Sequence, residues 1–218
     1  MEFFPRVVFY LKFLDYKVPV TETVVVTWCV MVILMVFSYF AGKSVGKKDG
    51  VLQKVCEAFY EGMENILVET MGESASAFIP YIGTLLAFLL FSNLSGLFGA
   101  RPPTADLSTT LMLASITFFL TQKEGIRRKG LLGYIKSFFE PSPVLFPLNV
   151  IGSFSTPVSM AFRLFGNILG GLIIMNLVYS AVPLFIPVPL HFYFDIFAEI
   201  LQAFIFVMLT AVFIAMAD

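Results

Sequence analysis

Arg163 is the only charged residue between Glu140 and Asp195, in a stretch of otherwise apolar or small side chains. A guanidinium keeps its proton under protein conditions, so it stays cationic at whatever depth this segment places it. In lipid, a central arginine costs about 3 kcal/mol on insertion scales and more than about 10 kcal/mol on an isolated helix, so it faces a carboxylate or a water-filled space. Three further polar residues follow at helical spacing: Asp195, Glu199 and Gln202 stand at i, i+4 and i+7, on one helix face. Two carboxylates one turn apart repel each other and lose solvation, so one of them can hold and release a proton. His191, one turn earlier, can relay protons as well, although a lone histidine at an interface is more often simply solvated.

Arg163 has its own stripe. Gly152, Thr156, Ser159, Arg163, Gly166, Asn167 and Gly170 recur every three or four residues, a small or polar face from which only the arginine projects. Small residues let another helix come close, and Gly166 with Gly170 forms the G-x-x-x-G pair that does so in membranes. The plain alternative is ordinary helix packing, with the arginine tied to a carboxylate of the same chain. Other chemistries find no support. One histidine and two separated cysteines, Cys29 and Cys56, give no zinc or haem constellation, and no H-E-x-x-H, G-x-S-x-G or phosphate-cradling glycine loop occurs. Asn93-Leu94-Ser95 fits a glycosylation acceptor by pattern alone.

The elements that hold these residues are those of a membrane protein. The chain has 218 residues, 58% hydrophobic and 13% charged, with a mean hydropathy of +0.89; soluble domains carry about 25% charged residues. The net charge of −1 gives no general attraction to nucleic acid or anionic headgroups. The expected fold is an all-α membrane protein, a single domain over 1–218. It has about five crossings plus one cytoplasmic amphipathic helix: spans at 23–41, 78–99 and 107–122, the amphipathic helix at 51–71, a long tilted helix at 143–182 and a last helix at 190–217. Residues 1–22 mix aromatics with charge, which suits a membrane surface, and they form neither a clean signal peptide nor a transit peptide. Lysines at 43, 47 and 48, and the basic run Lys123, Arg127, Arg128, Lys129 and Lys136, mark the cytoplasmic side. That places the N-terminus outside and the C-terminus inside. No internal repeat is evident, which argues against an inverted-repeat transporter.

Three stretches, SMAFRLFGNILGG, NLSGLFGARPPTADLSTTLMLA and LQAFIFVMLTAVFIAMA, together resemble the a subunit of F-type ATP synthases, the stator component beside the rotating c-ring. The resemblance runs from about Pro80 onward. It implies a c-ring-facing hairpin of long tilted helices, no catalytic site and no cofactor in the subunit itself, and a bacterial plasma (inner) membrane. The implied partners are the c-ring, the peripheral stalk of subunit b and, indirectly, the F1 sector. It makes Arg163 the counterpart of the family's essential arginine, gives polar roles to Asn167 and Gln202, and sets Asp195 at a titratable outer-channel position. Asp106, in P-T-A-D-L, matches a position near the channel mouth. The place nine residues after the arginine, often titratable in the family, is Leu172 here, which leaves Asp195 and Glu199 as the better candidates for the outer path. The competing expectation is a small proton-coupled secondary transporter that binds an anionic substrate on Arg163; a purely structural assembly protein is the third.

Overall fold

A computed structural model describes residues 6–13, 16–44, 50–72, 75–139, 142–181 and 185–217. Lys47 and Lys48 of the first basic loop, and Pro183 of the proline cluster before the last helix, lie outside the described residues. The chain opens on an antiparallel hairpin, β1 (Val7–Phe13) and β2 (Tyr16–Thr21), an addition to the helical plan, with a register irregularity between Val7 and Phe9. β2 leads directly into α1 (Glu22–Ser44), and the Glu22 amide bonds back to the Arg6 carbonyl at 2.9 Å. There follow α2 (Val51–Met71), α3 (Ala75–Leu94), α4 (Leu107–Ser137) and α5 (Phe146–Ala181). The last helix, α6, is the run Pro187–Ala215.

Four helices among the described residues are long and apolar enough to cross a membrane: α1, α3, α5 and α6. The apolar part of α4, 107–122, reads from sequence as a span of its own; in the structure it is the first half of a 31-residue helix that runs on through the basic stretch. Gly130 breaks that run with φ 69° and ψ 163°, a conformation open in practice only to glycine. The chain turns there, and Tyr134 folds back onto Gly125.

α2 keeps the sharp division of faces its sequence announces. Met63, Leu67 and Met71 are buried, and they join a core made with Ile82 and Leu89 of α3, Ala161 and Leu164 of α5, and Phe206 and Ala211 of α6. The carboxylates of that helix stay on its open side. α3 is the central strut: it packs on α1, α2 and α6.

Candidate functional site

Helical phase decides where Arg163 points. Met160, Ala161, Leu164 and Ile168 of α5 are buried in the core, so the face between them turns inward and Arg163 lies exposed on the other side. Among the described residues it has no carboxylate within ion-pair distance and no hydrogen bond. The local alternative, an arginine tied to a carboxylate of its own chain, therefore finds no partner there. The glycines of its stripe are also left open by the described residues. A Cβ added at Gly152, Gly166 or Gly170 would meet nothing within 4 Å, whereas one at Gly171, on the inner side, would touch the Phe194 ring at 3.5 Å.

One turn beyond the arginine, Asn167 Nδ2 donates to Gln202 Oε1 at 2.7 Å, joining α5 to α6. Gln202 is buried, and its Nε2 has no partner among the described residues. Both side chains line a cleft of about 210 Å³ whose other walls are Tyr193, Phe194, Phe197 and Leu201. Here α6 is not regular: Phe192–Ala198 forms a π-helix. Its i→i+5 turn is wider than an α-turn; Asp195 lies within it, and Glu199 opens the regular α-helical stretch that follows and carries Gln202.

Asp195 is held from the N-terminal side of the π-turn. Tyr179 near the end of α5 bonds His191 Nε2 through its hydroxyl, and His191 Nδ1 bonds Asp195 Oδ2. With Asp195 ionised, Nδ1–H donates to it and Nε2 accepts from the Tyr179 hydroxyl. Glu199, four residues on, is buried, 8% exposed. Its backbone carbonyl accepts from Asn93 Nδ2 at 3.1 Å, and Asn93 Oδ1 accepts from Thr104 at 2.7 Å. Its carboxyl lies against the turn after α3, with Oε1 4.0 Å from the place a Cβ on Gly96 would occupy and Oε2 unpartnered among the described residues. Asp106 does different work. It caps α4 by accepting the Ser108 amide at 3.1 Å and accepts from Thr23 at 3.4 Å, a capping role worth about 1 kcal/mol.

Tyr179, Asn93 and Thr104 were invisible in the sequence. Asn93 showed only as a glycosylation pattern, and at 1% exposed it is buried. A second cleft, of about 250 Å³, opens at the far end of α6, between α4 and α5, and was equally unmarked. It meets α5 at Ser153, Thr156 and Met160, whereas the first meets α5 at Asn167. Arg163 sits on the turn between the two.

Long apolar helices, glycines left open along one face of α5 and an exposed arginine between two clefts, without an ion-pair partner among the described residues, define a multi-pass helical membrane protein. Residues 24–215 match the family described as ATP synthase A chain. ATP synthase subunit a of Moorella thermoacetica is 39% identical over 199 residues, covering 91% of either chain. "ATP synthase subunit a, sodium ion specific" of Propionigenium modestum is 38% identical over 215 residues, covering 91% of this chain and 74% of that one. The chain belongs to the ATP synthase A chain family. It is an ion-translocating stator component of the membrane sector, without a catalytic site of its own. The independent secondary transporter is set aside on the same ground.

Proposed function

We propose that Arg163 faces the ion-carrying carboxylates of the c-ring and that the two clefts are aqueous half-channels leading to it from opposite sides. What carries this reading is that Arg163 is exposed, and without an ion-pair partner among the described residues, on the turn of α5 between the clefts. A cation arriving beside a ring carboxylate stabilises its ionised form, so the ion bound there leaves into one half-channel. The bare carboxylate then rotates to the other and reloads. The guanidinium also bars a direct path between the clefts. Each charge moved down the potential is worth about 2.3 kcal/mol per 100 mV, and rotation collects the sum.

The outer path uses His191, Asp195 and Glu199, then Gln202 and Asn167 beside the arginine; Leu172 supplies no titratable group, and Asp106 braces the mouth. The ion is H⁺ or Na⁺. The basic residues of α4 lie in the cytoplasm, the N-terminus outside and the C-terminus inside, in a bacterial plasma (inner) membrane. Crossings run over 23–41, 78–99, 107–122, 143–182 and 190–217, with 51–71 on the cytoplasmic side. Partners are the c-ring, the peripheral stalk of subunit b and, through it, the F1 sector.

The test is ATP-driven ion pumping in vesicles carrying the whole complex. Arg163→Ala is expected to abolish coupled pumping while the complex assembles normally; pumping at the wild-type rate would sink the assignment.

A further inference from the structure

The second cleft has a chemical character that its composition alone does not show. It is lined by hydroxyls, and the protons of those on Thr117, Thr121, Ser137 and Thr156 are already committed. Thr121 donates to the Thr117 carbonyl at 2.9 Å, Thr156 to the Gly152 carbonyl at 3.1 Å and Ser137 to the Tyr134 carbonyl at 2.7 Å. Thr210 gives its proton to the Phe206 carbonyl at 3.0 Å, so Thr117, 3.4 Å away, is the donor between those two hydroxyls. Ser153 Oγ accepts from Gln122 Nε2 at 3.0 Å, which leaves the Gln122 amide oxygen to accept, with one amide N–H and the Ser153 O–H as the donors remaining on this pair.

Back-bonding of this kind is how any hydroxyl satisfies itself on an apolar helix. Here, however, the residues that carry the lone pairs left over line one space. α5 adds another acceptor: Pro157 lines the cleft beside Ser153 and has no N–H to give to the Ser153 carbonyl one turn back. Among the described residues the wall is therefore rich in acceptors, with no carboxylate in it and one cation, Lys129, at the exposed mouth where solvent and salt screen it. Neutral oxygens in this number suit a hard cation.

We propose that this cleft holds a resting site for a hard monovalent cation on its way to or from Arg163, with the Ser153 carbonyl, the Gln122 amide oxygen and the hydroxyls of Thr121 and Thr156 as its ligands. The proposal rests on the two-cleft reading above and adds the residues and chemistry of the cytoplasmic half.

ATP-driven pumping draws the ion from the side that carries the ATPase sector, so that side can be titrated alone. Initial pumping rates of the whole complex in vesicles are measured against external Na⁺ at fixed pH and, separately, against external pH without Na⁺. The Thr121→Val/Thr156→Val double variant removes two acceptors at nearly constant volume. Pro157→Ala independently restores an N–H to the Ser153 carbonyl. For each, the half-saturating concentration of the coupling ion on that side is expected to rise at least fivefold, in the Na⁺ arm or in the pH arm according to which ion the complex uses. ATP synthesis titrated from the opposite side keeps its wild-type half-saturation. Unchanged half-saturation in the hydroxyl variant, or equal shifts from both sides, would overturn the site. Failure of the arginine reading looks different: it is pumping that survives Arg163→Ala, whatever the ion concentration.

Discussion

Asn167 is exposed on the open face of α5, yet its amide reaches inward to the buried Gln202 at 2.7 Å. This bond holds α6 against the helix that carries Arg163, and a bond of this type contributes about 1 kcal/mol net. Asn167→Leu and Gln202→Leu are each expected to lower the thermal midpoint of the purified complex, with the double variant falling short of their sum by roughly 1 kcal/mol. Strict additivity would mean that the two side chains act independently. Arg163, Asn167 and Gln202 were legible because charge or amide in an apolar run stands out. The line from Tyr179 through His191 to Asp195 was only half legible: nothing distinguishes Tyr179 from any other tyrosine at a helix end until the chain returns. Asn93 and Thr104 are ordinary polar residues in sequence, and only the line from Thr104 through Asn93 to the Glu199 carbonyl gives them a role.

Periodicity located the helices and, by its nature, missed their departures from regularity. The π-turn over Phe192–Ala198 leaves no signature in FYFDIFA, so a 3.6-residue period drew a regular helix through Asp195 where the turn is wider. The break in α4 does carry a signal, Gly130, although LLGYIK alone does not say which way the chain turns. Its φ and ψ of 69° and 163° are the reason a glycine stands there. Gly130→Ala is expected to cost about 1–3 kcal/mol and to lower the thermal midpoint of the complex. Tyr134 depends on the same turn. Burial pushes its phenol above the ordinary tyrosine range, and its ring lies so close to Gly125 that a Cβ there would approach to 2.8 Å. A midpoint unmoved by Gly130→Ala would show that α4 can continue straight at no cost.

Seen whole, the chain is packed unevenly. Half of the α3 span is buried within the chain, at 50%, and 39% of α6, against only 6% of α1. Hydropathy fixed the existence of α1 but carries no information about what surrounds it, because lipid and protein ask for the same apolar side chains. Trp28, Val32, Met35 and Tyr39 are 45%, 53%, 64% and 67% exposed, and their spacing of four, three and four makes one seam of the kind a second helix can follow. Val30, at 4%, looks the other way. If the peripheral-stalk b subunit supplies that second helix, a photoreactive side chain at Met35 is expected to give an adduct of b-subunit mass in native membranes. The same group at Val30 is expected to cross-link within this chain. Lipid adducts alone at Met35, with the complex intact, would assign the seam to the bilayer and move the stalk contact to another face.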